Sequence, residues 1–288
     1  MAAGCLALAA CTGGAPPATG PGGPGTAGAG GQATAAPTGG PGAGPVPGTA
    51  APGAGPGGGA EPPPAAAGGP VAGAPVVVLD PGHNGGNPAH RSEIARPVPD
   101  GRGGTKPCNT TGTATDAGYP EHAFNFDVAQ RTERVLEAAG VRVVLTRPDD
   151  FGVGPCVDVR GTAGQRADAA AVVAIHADGA APSGSGFHVA LASPPLNPAQ
   201  AGPARALGAA LHDALRGAGF HESTYLGERG MSLRPDLAGL NLATRPAALV
   251  ECANMRNPAE AAVVSSADGR QRYATALAAG IIAYLRHS

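Results

Sequence analysis

Along the first seventy-five positions no hydrophobic pattern builds up; the first one starts at residue 76. Val76-Val77-Val78-Leu79 is a continuous apolar run between Pro75 and Pro81 and predicts a strand buried on both faces. Over residues 121–139 the period lengthens. Phe124, Val128, Val135 and Ala139 fall near one face of a helix, and Gly140 supplies the stop. The pattern then predicts a strand at 141–145, a short helix at 164–170, and strands at 172–175 and 187–191. A helix at 201–217 ending in glycine, a strand at 247–250 and a closing helix at 270–285 follow. Strands alternating with helices specify an α/β domain over residues 75–288: a single mostly parallel, mixed sheet flanked by helices on both faces.

Composition separates this domain from what precedes it. Residues 1–74 are almost entirely Gly, Pro, Ala and Thr, with Glu61 the only charge and no aromatic side chain. Such a segment has too little apolar surface to offset the entropy of ordering it, so residues 12–74 are expected to form a disordered Gly/Pro/Ala-rich linker. The formal net charge is -2, Lys106 is the only lysine, and no basic run occurs, which argues against a nucleic-acid partner. A monomer is the default expectation.

The opening MAAGCLALAACTGG places Cys11 directly after Leu8-Ala9-Ala10. This resembles a bacterial lipobox, although the apolar run is short and no basic residue precedes it. Residues 1–11 are read as a truncated lipoprotein signal, with lipidated Cys11 as a membrane tether. That implies an extracytoplasmic protein on the outer face of the cytoplasmic membrane, or otherwise a secreted one. The linker of about sixty residues would then have an r.m.s. reach of roughly 45 Å. Cys108 and Cys156 lie in Gly/Pro-rich loops and could form a disulfide or remain two free thiols, while Cys252 beside an apolar strand reads as a buried thiol.

The chemistry-bearing residues share one placement. His83 follows the first predicted strand, His176 the third, and Glu251 the strand at 247–250. In an open α/β sheet, functional groups gather outside the carboxyl ends of the strands, so these three should converge. Glu121, at the start of the first long helix, could reach the same rim. Two imidazoles and a carboxylate around an open position are the donor set of a hydrolytic zinc site, and a second carboxylate could move protons beside it. The residues alone therefore suggest a metal-assisted hydrolase. Competing readings remain for Glu121, which could merely favour the helix dipole or be displaced as ligand by His122. Asp80 is expected to orient the turn before His83. Arg160 and Arg166 are expected at helix starts, pairing with acids around Asp149, and His188 is expected to face the groove or solvent.

VVVLDPGHNGG resembles the opening motif of zinc-dependent N-acetylmuramoyl-L-alanine amidases of the Amidase_3 type. The resemblance continues in register through Glu121, LEAAGVRVVLTRPDD, Arg160, Arg166, VVAIHADG and PAALVECANMRN. The long loop at 85–120, holding Cys108, looks most like that of mycobacterial-type secreted members. The resemblance implies Zn2+ held by His83, Glu121 and His176, with Glu251 as the catalytic acid/base. It also implies hydrolysis of the amide between N-acetylmuramic acid and L-alanine in peptidoglycan, serving cell-wall remodelling or turnover. Asn84, Arg234, Asn241 and Asn254 are candidate substrate contacts. Two alternatives remain open: a zinc peptidase acting on the stem peptide, and a non-catalytic peptidoglycan-binding or regulatory lipoprotein on an amidase fold.

Overall fold

A computed structural model of the chain describes residues 73–288. Cys11, the expected lipobox and the rest of residues 1–72 lie outside the described residues. In chain order the elements are β1 (Val76–Pro81), α1 (Arg91–Ile94), β2 (Pro97–Pro99), β3 (Thr105–Pro107), α2 (Glu121–Ala138), β4 (Arg142–Leu145), α3 (Val157–Gly161), α4 (Ala163–Arg166), β5 (Ala171–Asp178), β6 (His188–Ala192), α5 (Gly202–Gly217), β7 (Met231–Arg234), α6 (Ala238–Asn241), β8 (Ala247–Asn254), α7 (Pro258–Ser265) and α8 (Ala267–Leu285). β2 and β3 form a separate antiparallel hairpin. The other six strands make one sheet in the order β4-β1-β5-β8-β6-β7, parallel throughout except where β6 meets β8. This is the mostly parallel mixed sheet that the apolar pattern predicts.

The two faces are covered unequally. Strand alternation sends Val77, Leu79, Val173, Ile175, Val189, Leu191, Ala248 and Val250 to one face, where they join the main core with Phe124, Leu136, Leu207, Leu211, Leu277 and Ile281 of the long helices α2, α5 and α8. Fully burying an aliphatic side chain of this size contributes about 1.5–3 kcal/mol, so this face holds most of the fold's stability. Phe220 stacks on Tyr273 at 4.0 Å, within the same layer. The opposite face carries smaller residues, among them Val76, Val78, Ala190, Ala192 and Ala247. Ala163 of α4, Leu240 of α6, the adjoining Ala243 and Ala169, and the partly buried Ala167 and Leu237 close over them. Helices flank both faces, but the second layer is short and leaves a gap.

Several boundaries differ from the pattern-based expectation, each for a tertiary reason. β5 and β8 extend past Ile175 and Val250 because they pair in register through His176 and Glu251, so both residues lie inside strands rather than after them. The short helix expected at 164–170 ends at Arg166, and Asp168 turns out of it with a φ of 51°. β7 (MSLR) has no apolar run and exists by pairing with β6. α7 was also invisible to the hydrophobic period; Pro258 sits in its first turn, and the side chain of Asn257 caps it by accepting from Ala259 N and Glu260 N.

Of the two states left open for Cys108 and Cys156, the structure has the disulfide; Cys252 is buried and free. The bridge ties the end of the β2–β3 hairpin to the N-terminus of α3, with Val98 packed against it. Among the described residues no helix is long and apolar enough to cross a membrane.

Candidate metal centre and active site

The thinly covered face of the sheet holds the site. A cavity of about 460 Å³ opens there, lined among others by Asp80, His83, Glu121, His176 and Glu251. His83, Glu121 and His176 come together with one donor atom each, all within 4.8 Å of one another. Glu121 Oε1 lies 3.1 Å from His83 Nε2 and 3.0 Å from His176 Nδ1. Three elements supply them: the turn after β1, the first residue of α2, and β5.

Each of the three candidate ligands is held from behind. His83 Nδ1 lies 3.1 Å from the Thr110 carbonyl, to which it donates, so that Nε2 points into the cluster. His83 has a left-handed φ of 59°, rare for a side-chain-bearing residue, and the Arg160 guanidinium donates to its carbonyl at 2.6 Å. Glu121 sits at the positive end of α2; its Oε2 accepts from Thr113 N and its Oε1 from Ala177 N. The His176 ring packs against Gly82, where any Cβ would overlap it, which explains the glycine in the DPGH turn. Gly112, at a φ of 76°, lets the loop close against Glu121 and His83.

The electrostatics of the cluster suit a cation. Burial works against a charge on His83, but the Glu121 carboxylate beside it prevails and raises its pKa. Burial likewise opposes the charge on Glu121, yet the two imidazoles hold its carboxyl well below the usual range. A buried carboxylate and two imidazoles aimed at one point form an N2O donor set that fits a zinc ion.

Glu251 stands beside this cluster on β8, directly across from His176 of β5. Burial pushes its carboxyl well above the usual carboxylate range, and the charges of Glu121 and Asp178 push the same way. Its Oε2 is buried without a protein hydrogen-bond partner. A carboxyl raised in this way holds a proton more readily than an ordinary carboxylate, which suits a proton-transfer group.

Around the site, two buried arginines lock the turn after β1. Arg160 pairs with Asp80 at 2.6 Å and also donates to the Pro81 and Gly154 carbonyls. Asp80 thus orients the turn, as expected, but Arg160 does not pair with the acids around Asp149. That role falls to Arg147, only 1% exposed, which meets Asp150 at 2.8 Å and donates to the Pro81 and His122 carbonyls. Arg166 binds Thr162 and the Val159 carbonyl instead of an acid. Sequence reading overlooked Arg147, although a Thr-Arg-Pro following a strand beside two aspartates was its available signal. His122, the rival ligand, is bonded to Asp150 at 2.8 Å and does not belong to the cluster.

The candidate substrate contacts separate on inspection. The Asn84 amide donates to Gly154 O, and its oxygen accepts from Gly85 N. Asn241 donates to the Asp100 and Pro235 carbonyls and accepts from Arg102. Asn254 donates to the Ala181 and Gly184 carbonyls and accepts from Ala180 N and Arg256 N. All three are buried, with their amides consumed internally, so they hold loops together rather than reach a substrate. Arg234 is partly exposed and forms a two-pronged pair with Asp236. His188, expected at the groove or in solvent, is 1% exposed.

The comparisons agree with this geometry. Residues 77–283 match the Amidase_3 family, described as N-acetylmuramoyl-L-alanine amidase. An N-acetylmuramoyl-L-alanine amidase of Mycobacterium tuberculosis is 48% identical over 210 residues, covering 73% of this chain and 86% of the relative. The crystal structure of the N-acetylmuramyl-L-alanine amidase Ami1 from Mycobacterium smegmatis superposes with a TM-score of 0.72 at 48% identity, over 74% of this chain and 98% of that one. The apo form of Ami1 from Mycobacterium abscessus gives a TM-score of 0.71 at 48% identity, over 73% and 98%. With the family match running from β1 into α8, this chain belongs to the Amidase_3 family of N-acetylmuramoyl-L-alanine amidases.

Proposed function

We propose that this chain hydrolyses the amide bond between N-acetylmuramic acid and L-alanine in peptidoglycan, with zinc held by His83, Glu121 and His176 and with Glu251 as the proton-transfer group. The observation that carries the reading is the convergence of those three donor atoms within 4.8 Å, on a cavity that Glu251 also lines. When bound, the metal supplies Lewis acidity, polarising the amide carbonyl and making water more acidic. The protein's own groups do the rest. His83 and His176 are fixed by Thr110 and Gly82, so the donor set is pre-organised. Glu251 takes a proton from the attacking water and delivers it to the nitrogen of L-alanine as the carbon–nitrogen bond breaks. The products are the lactyl carboxylate on the sugar and a free amine on the stem peptide. Acting on the wall places the domain outside the cytoplasm. A lipid on Cys11 and the linker over residues 12–74 would let the enzyme sample the wall.

The test is mass spectrometry of soluble muropeptides incubated with the full chain, zinc-loaded or chelated, beside Glu251→Ala. Free stem peptide plus intact amino sugar, abolished in the variant and without metal, is the expected result. Shortened peptides still joined to sugar would make the protein a peptidase. Absence of cleavage by a zinc-loaded chain would favour a binding protein on the same fold.

A further inference from the structure

Among the described residues, five buried side-chain atoms have no hydrogen-bond partner, and three of them are Glu251 Oε2, His188 Nδ1 and the Tyr225 hydroxyl. Their placement is not scattered. His188 on β6 is the antiparallel register partner of Glu251 on β8, while His176 on β5 is the parallel register partner of the same glutamate. Register partners share a sheet face, so His176, Glu251 and His188 form one row across three strands, with the carboxyl between two imidazoles. One imidazole belongs to the metal cluster, and the other does not. Tyr225 meets the His188 ring edge-on at 6.1 Å.

The scaffold behind the row is tight. Phe187 N donates to His221 O, Ser223 N to Phe187 O and Thr224 N to Ser185 O, fixing the segment that ends in Tyr225 against the residue preceding β6. Asn254 braces the neighbouring loop through Ala181 O and Gly184 O. Burial lowers the His188 pKa to about 4, so the ring is neutral at physiological pH, with one N–H donor and one lone pair. Burial, with the charges of Asp178 and Glu251 and the Asp178 carboxylate close to the hydroxyl, keeps Tyr225 protonated. The three orphaned atoms are therefore chemically complementary: phenol donor, neutral imidazole, carboxyl acceptor.

We propose that His188 and Tyr225 are positioning residues for Glu251: the Tyr225 hydroxyl orients the His188 ring, and the ring N–H in turn holds the Glu251 carboxyl toward the scissile amide. The proposal rests on the amidase reading for its kinetic consequence but not for its geometry. The experiment therefore has two arms on the zinc-loaded full chain.

In the first, kcat and KM are measured on a muropeptide for His188→Leu, His188→Gln and Tyr225→Phe. A misaimed proton-transfer group costs on the order of 100-fold, so kcat of His188→Leu falls by about that factor. KM and zinc content stay within twofold, His188→Gln regains most of the loss, and Tyr225→Phe loses several-fold. An unchanged kcat, a loss expressed in KM, or a glutamine variant no better than leucine overturns the proposal.

In the second, the ring nitrogens of 15N-labelled histidine are read by NMR with no substrate. A single His188 tautomer that gives way to a mixture in both Glu251→Ala and Tyr225→Phe is expected. A His188 signal indifferent to Glu251→Ala overturns the proposal, even if no variant of the chain cleaves anything. Absence of cleavage by the wild type alongside the expected NMR result would fault the amidase reading alone.

Discussion

At the scale of single residues, the site is built from close approaches that tolerate no extra atom. His176 lies on Gly82, so Gly82→Ala forces the ring out of line while leaving the main core untouched. The expected result is a zinc affinity weakened by about 10–100-fold, the range for disturbing a ligand's support, with an unchanged circular dichroism spectrum. Stoichiometric zinc after dialysis of this variant would refute it. Asp80 provides a second residue-scale test. Burial alone would raise its pKa, but Arg160 and Thr146 outweigh that and lower it. A carboxyl whose folded pKa is depressed adds stability above its unfolded pKa and loses it as pH falls through the folded value. The Asp80–Arg160 contribution should therefore be complete above about pH 4 and disappear below it. Asp80→Asn leaves the Arg160 guanidinium buried without its counter-charge and should cost about 3 kcal/mol at neutral pH. Denaturant melts of wild type and variant should converge on acidification; parallel curves at all pH values would contradict this account.

At the scale of elements, strand register decides what meets what. β8 lies between β5 and β6, so Glu251 is aligned with His176 on one side and His188 on the other. Helix α2 contributes its first residue, where the helix's own peptide dipoles favour a carboxylate. The Cys108–Cys156 bridge acts at this scale too, holding the β2–β3 hairpin and the loop carrying Thr110 to the start of α3. It closes a loop of 48 residues, for which the chain-entropy relation yields about 4 kcal/mol. Reductant should lower the unfolding midpoint accordingly, and Cys108→Ser/Cys156→Ser should show the same midpoint with or without reductant. A wild-type midpoint indifferent to reduction would remove the bridge from the stability argument.

At the scale of the molecule, one well-covered sheet face holds the domain together and one thinly covered face carries the candidate site. The large side chains of α2, α5 and α8 pack on the first. The second is floored by alanines and valines and capped by short helices, which leaves the cavity its room. The lipobox reading of residues 1–11 also belongs here. In a bacterial host, Cys11→Ser should move the protein from the membrane fraction to the soluble one without changing cleavage of soluble muropeptides. A wild-type protein already soluble would end the lipid-anchor reading.

Local signals in the sequence were enough for the main strands and the long helices α2, α5 and α8, and for nominating His83, Glu121, His176 and Glu251, which the fold brings to one cavity. Hydrophobic period is a property of neighbouring residues, and the DPGH turn, the helix-start glutamate and the strand-end residues occupy positions that chain order alone identifies. The fate of polar side chains was decided elsewhere. Asn84 finds its partner 70 residues away and Asn241 finds one 141 residues away, so nothing nearby announced that their amides would be spent inside the protein. The same holds for Arg160, whose carboxylate partner is 80 residues distant. β7 and the alignment of His188 with Glu251 exist only through pairing with β6. Which polar groups remain free to act depends on which others the fold has already paired, and only the tertiary structure determines that.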